Sequence, residues 1–155
     1  MAIVYRAIRQ KYADRPLDTL GTRLNGGRWN PPGVGILYTA EHAALTLVEI
    51  LVHMPQVAYT ALPAYRLFSL EIPDDSRRII SANQLPPYWN ENSYDRSQYV
   101  LADWLAQPDV LALGVPSSVM PEGINYLLHP AHPAYQTIRV VDEKDLIIDA
   151  RLWSK

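Results

Sequence analysis

The sequence contains no cysteine, which removes disulfide staples, thiol nucleophiles and thiolate zinc sites together. Burial and hydrogen bonding must therefore hold the fold. Net charge is also nearly missing, since 14 Lys and Arg against 16 Asp and Glu leave −2. That balance does not suit a protein that neutralises a long phosphate backbone unaided. At 48% hydrophobic residues the chain is equally unlike a disordered tail. No apolar run is long enough to span a bilayer, and the opening MAIVYRAIRQKYADR places Arg6, Arg9 and Lys11 where a secretory signal keeps an apolar core. The expectation is a cytoplasmic protein without membrane association. Internal repeats and low-complexity tracts are missing too, and the 13 prolines are scattered rather than gathered in one linker. The 155 residues are thus expected to form one domain built of many short elements.

What is present divides into strands and a few helices. AIVYRAIR reads as an opening strand, GVGILYTA as a short one, and AYRLFSLEIP alternates in period two until Pro73 stops it. Helical spacing runs from about Glu41 to Met54, and again through SYDRSQYVLADWLAQ with Pro108 as its stop. DVLALGVPS, YQTIRVV and KDLIIDARLW are three further strand candidates. Strands outnumber helices and do not alternate with them, so the expected class is α+β with a mixed or antiparallel sheet.

The helix after GVGILYTA raises the first chemical question. On a wheel of about 100° per residue, His42, Thr46, Glu49 and His53 fall within an arc of roughly 60°, and the rest of the circumference is apolar. Such a helix is expected to be buried on most sides with its thin polar stripe facing a cleft. An unpaired carboxylate there costs several kcal/mol, so Glu49 reads either as a member of a buried ion pair or as a functional group. A shared metal on His42, Glu49 and His53 is disfavoured, because His-Glu-x-x-His is missing and two turns separate His42 from Glu49. No metal site is assigned. Just upstream, NGGRWNPPG presents Arg28 on a loop that its glycines let approach a ligand and its prolines stiffen. Guanidinium suits bidentate contact with phosphate or carboxylate; the alternative partner for Arg28 is Glu49 or another acid. Trp29 reads as core. Neither a Walker loop nor a dinucleotide fingerprint is present.

The series GGRWNPPG, ILYTAEHAALTLVE and VPSSVMPEGINYLLHPAHP, opening from VYR, resembles the RES domain family, the toxins of RES/Xre toxin–antitoxin systems. The resemblance covers nearly the whole chain, which makes residues 1–155 a single RES domain. It places the family's Arg on Arg28, its Tyr on Tyr38, its Glu on Glu49, its Ser on Ser117 and a matching Asn on Asn125. One departure is visible: the family often reads Asn-Pro-x-His-Pro where HPAHP stands here, so His129 replaces an Asn. The resemblance implies a fold similar to ADP-ribosyltransferases such as diphtheria toxin, with NAD+ as substrate rather than cofactor. Its glycosidic bond to nicotinamide would be cleaved by hydrolysis or phosphorolysis, or ADP-ribose passed to a protein. It also implies an Xre-like helix-turn-helix antitoxin as partner, through which alone DNA is contacted; a homodimer is a further expectation.

In that chemistry Glu49 stabilises the oxocarbenium-like transition state, Arg28 holds the pyrophosphate with Arg6 as a second candidate, and Tyr38 stacks on nicotinamide. Ser117 and Asn125 hydrogen-bond the nicotinamide or ribose side. Read without the family, Tyr38 is more often a core tyrosine, and Ser117 has a second reading as a turn former after Pro116. The competing class is a catalytically silent nucleotide- or protein-binding module. A nuclease is disfavoured by the near-neutral charge and by the lack of a carboxylate cluster or suitably spaced His pair.

Overall fold

A computed structural model describes residues 1–153. Chain order is β1 (Ala2–Arg9), α1 (Leu20–Asn25), β2 (Leu37–Ala40), α2 (Ala43–His53), β3 (Tyr65–Ile72), β4 (Arg77–Ile79), α3 (Ala102–Ala106), β5 (Ala112–Pro116), β6 (Ile124–Leu128) and β7 (Arg139–Leu146), with single 3-10 turns between them. The strands form one seven-stranded sheet in the order β4-β5-β6-β2-β1-β3-β7. Only β4 and β5 run parallel; the other neighbours are antiparallel, so the sheet is mixed and the class α+β, as expected.

Period-two alternation sends neighbouring residues to opposite faces of this sheet. Val4 and Ile8, Leu37, Phe68, Leu70 and Ile72, Ala112, and Tyr126 with Leu128 enter one core. Tyr38, Leu113, Val115 and Leu127 enter a second, where Trp29, Trp89, Trp104 and Leu105 cover them. Because both faces are buried, β5 reads as a continuous apolar run rather than an alternating one. Burying a side chain such as Phe68 or Leu127 contributes about 1.5–3 kcal/mol. The two indoles of Trp29 and Trp89 stack with centroids 6.1 Å apart at 16°.

The ladder is uneven. β1 pairs with β3 along its whole length, from Ala2↔Ile72 to Arg9↔Tyr65, yet meets β2 at Tyr5↔Ala40 alone. This seam between β1 and β2 opens the sheet where α2 crosses it, and a cavity lies there.

Several expectations change. α2 spans Ala43–His53 close to the expected range, but it is not buried on most sides: Leu45 and Thr46 alone are fully buried, and Val52 is 54% exposed. The helix packs on β1 and β2 with one flank and turns Ala44 and Val52 outward. The continuous helix expected through residues 93–107 is instead a 3-10 turn at Ser97–Tyr99 followed by the short α3. Ser97 is wholly buried and donates its hydroxyl to the Arg28 carbonyl at 2.7 Å, a tertiary bond that fixes the chain out of helical register. YQTIRVV and KDLIIDARLW do not give two strands. They contribute one, β7, while Pro133 opens a 3-10 turn before it and Asp149 caps another after it by accepting from Arg151 N at 2.8 Å.

Candidate active site

The loop after α1 is built to hold Arg28. α1 ends at Gly26, whose φ of 72° lies where side chains are strained. Gly27 N then bonds the Asn30 carbonyl at 2.9 Å, closing a turn with Arg28 and Trp29 at its corner. Asn30 has no exposed surface; its amide donates to the Thr22 carbonyl at 3.1 Å and to the Val34 carbonyl at 2.7 Å, and its Oδ1 accepts the Tyr38 hydroxyl at 2.5 Å. The Tyr38 oxygen in turn accepts Trp29 N at 3.1 Å. Burial pushes the Tyr38 phenol well above its ordinary value, so it stays protonated as that donor. A methyl on Gly27 would stand 2.7 Å from the Tyr38 oxygen, which is why the second glycine is needed.

Arg28 is not paired with Glu49 or any other acid among the described residues. Its Nη1 donates to the carbonyls of Trp89 at 3.0 Å and Glu91 at 2.6 Å, and its guanidinium lies over the Tyr94 ring at 4.9 Å. Arg6, from β1, reaches across the seam to the Tyr38 carbonyl at 3.2 Å, satisfying a backbone acceptor where the ladder stops. Its Nε is buried with no partner among the described residues, and desolvation pulls its pKa down.

Glu49 stands on the α2 flank that faces β2 and β6. One carboxylate oxygen, Oε1, accepts the Ser117 hydroxyl at 2.6 Å and the Asn125 amide at 2.7 Å. Ser117 follows β5, is wholly buried, and its oxygen also accepts Val119 N and Met120 N, both at 3.1 Å. The turn-forming and carboxylate-binding readings of Ser117 thus hold together. Asn125 sits on β6 opposite Ala40 and Val115.

These groups converge on a cavity of about 440 Å³ lined by Arg6, Arg28, Tyr38, Thr46, Glu49, His53, Tyr94 and Asn125, with Tyr5 and Ala7 across the seam. That volume is in the range of small-molecule sites. Every site residue inferred from the sequence is brought there except Ser117, which stands behind Glu49; Ser118 lines the cavity instead. Sequence reasoning missed Asn30 and Tyr94. Asn30 was within the quoted motif but looks like any turn Asn, and Tyr94 lies in a stretch without a motif. His42 is exposed at the start of α2, and His53, also exposed, reaches the rim. No group of three or more potential His or carboxylate ligands gathers among the described residues. His129 is buried: Nε2 meets the Leu105 carbonyl at 2.9 Å, Nδ1 accepts Ala131 N at 3.1 Å, and the ring sits edge-on to Trp104. Its place is structural.

Comparison with known proteins adds to this geometry. A family model described as the RES domain matches residues 3–149. "Toxin Res" of Photorhabdus laumondii is 31% identical over 152 residues, covering 97% of this chain and 96% of that protein. "Prs ADP-ribosylating toxin" of Sphingobium sp. (strain YBL2) is 32% identical over 149 residues, covering 93% and 91%. Among solved structures, a chain of the M. tuberculosis MbcT–MbcA toxin–antitoxin complex superposes with a TM-score of 0.69 at 22% identity, covering 94% of this chain and 84% of that one.

Proposed function

This chain belongs to the RES domain family, and from that premise we propose that it is a cytoplasmic toxin that cleaves the nicotinamide glycosidic bond of NAD+. The observation that carries the reading is Glu49: a carboxylate oriented through one oxygen by Ser117 and Asn125, in a cavity whose two arginines have no acidic partner among the described residues. A site with two guanidinium groups and no ion-paired acid on either among the described residues suits a ligand with two negative charges, as pyrophosphate has.

The chemistry asks little of the protein beyond these groups. Nicotinamide leaves as a neutral molecule, taking the electron pair of the broken C–N bond, so no acid need protonate it. The positive charge then developing on the ribose is met by Glu49, which also accepts a hydrogen bond from the ribose 2-hydroxyl. Arg28 and Arg6 hold the pyrophosphate and so fix the ribose over the carboxylate. Tyr38 offers a ring face to the nicotinamide while its hydroxyl holds the Arg28 loop. Asn125 and Ser117 act through Glu49. The acceptor oxygen, from water or inorganic phosphate, bonds the anomeric carbon and gives its proton to solvent.

The name of the Sphingobium relative favours a second reading, transfer of ADP-ribose to a cellular protein. The neutralising partner is a protein antitoxin, a reading supported by the likeness to a chain of a toxin–antitoxin complex, and its Xre-like type follows from the sequence resemblance alone. The test is incubation of the purified protein with NAD+, with and without phosphate and with and without EDTA, followed by chromatography. Free nicotinamide with ADP-ribose or its phosphate ester, insensitive to EDTA, is expected. Intact NAD+ under all these conditions overturns the proposal, and nicotinamide release only when a target protein is added selects the transferase.

A further inference from the structure

Residues 86–97 wrap around Arg28 from several directions. The carbonyls of Trp89 and Glu91 accept from its Nη1, and the Ser97 hydroxyl donates to its main-chain carbonyl. The Tyr94 ring lies 4.9 Å from the guanidinium carbon, within the cavity lining. The segment is itself held in shape by Arg96, which bonds Glu91 at 2.5 Å and lies over the Tyr88 ring at 4.2 Å. These contacts occupy one edge and one face of the Arg28 guanidinium. Its Nε and Nη2 hydrogens have no protein partner among the described residues, and they form the fork that grips an oxyanion pairwise.

A guanidinium on a flexible side chain loses rotamer freedom when it binds, so holding it in place beforehand strengthens binding. The two carbonyls hold one end of the guanidinium, one of them through a solvent-exposed bond, and resist tilting of its far end less well than sliding in its plane. A ring against its face removes that freedom. We propose that Tyr94 is the positioning residue for Arg28, acting through its ring face and not its hydroxyl, and that it sets the affinity of the cavity for a pyrophosphate-bearing ligand. This rests on reading the cavity as the dinucleotide site, and it adds a residue outside every motif in the sequence.

Calorimetric titration with inorganic pyrophosphate and with ADP-ribose tests it without requiring turnover. Tyr94→Ala and Tyr94→Leu should each weaken binding roughly three- to tenfold, the worth of a partly buried cation–π contact, while Tyr94→Phe stays within about twofold of the parent. In an Arg28→Ala background, Tyr94→Ala should add nothing, because the two residues act as one unit. With NAD+ as substrate Tyr94→Ala and Tyr94→Leu should raise KM by more than they lower kcat, and Tyr94→Phe should change neither by more than about twofold. Parent-like binding by Tyr94→Leu, loss of binding in Tyr94→Phe, or additive losses in the double variant each overturn the proposal, as does failure of the parent to bind either probe. Failure of the parent to release nicotinamide, with the binding pattern intact, overturns only the NAD+ cleavage reading.

Discussion

At the scale of single residues, Glu49 and Arg6 illustrate two ways a charge is kept in a half-buried place. Glu49 is stabilised by two donors on one oxygen. Gln at this position keeps an oxygen for Ser117 and Asn125 but loses the charge, so Glu49→Gln should melt close to the parent and bind NAD+ similarly, yet release nicotinamide at least about 100-fold more slowly. An unfolded variant, or one changed only in KM, would make Glu49 structural. Arg6 is compensated less fully: burial disfavours its charged form and its Nε is buried with no partner among the described residues, although its Nη1 donates to the Tyr38 carbonyl and Asp18 favours the charge. Arg6→Met should therefore weaken NAD+ binding while changing the melting temperature little, since removing a poorly solvated cation is offset by leaving the Tyr38 carbonyl without its donor. A lower melting temperature with unchanged affinity would count against a ligand role. His129 gives a pH dependence. Burial lowers its pKa below the ordinary 6.5, so the folded protein binds that proton less readily than the unfolded chain. The stability contribution is complete above 6.5 and is lost as pH falls from there through the folded value. Denaturant midpoints at pH 7.5, 6.5 and 5.5 should decline on the acid side, and less steeply in His129→Asn.

Among the elements, the Gly27–Asn30 turn couples fold and site most directly. Gly27→Ala drives a methyl into the Tyr38 hydroxyl and the Asn30 oxygen, so the turn must shift and carry Arg28 with it. Its expected signature is a loss of NAD+ affinity larger than its loss of stability, by titration and urea unfolding respectively. Asn30→Ala should instead destabilise by about 1–3 kcal/mol, because the Thr22 and Val34 carbonyls lose buried donors. The sequence carried β1, β2, β3, β5 and α2 plainly, since each has a clear period or a run of β-branched residues within turn signals. β4 has only three residues, and β6 was obscured because INYLL is bounded by a motif rather than by alternation. α1 is short, with a glycine inside it. The helix expected around Ser97 failed for a reason no local pattern holds, a bond to the carbonyl of Arg28. The site shows the same limit: Arg28, Glu49 and the residues flanking them could be found by type and order, whereas Tyr94 belongs to the site only through long-range packing.

For the molecule as a whole, the proposed activity and the exposed apolar flank of α2 make unpartnered expression the informative experiment. Expressed alone, the protein should deplete NAD+ and arrest growth, and Glu49→Gln should do neither; arrest with normal NAD+ would sink the cleavage proposal. Coexpression with a neighbouring Xre-like gene should restore both. The pairing of β1 with β2 at Tyr5↔Ala40 alone has a further consequence. Amides along that seam can reach solvent by a local opening that leaves β1 with β3 and β2 with β6 intact, so they should exchange hydrogen for deuterium well before those of the paired ladders. Arg6 stands on one side of the opening and Arg28 on the other, so the proposed dinucleotide would bridge it. Addition of ADP-ribose should then slow exchange at residues 5–7 and 38–40 far more than elsewhere, as a ligand reaching both strands closes the seam.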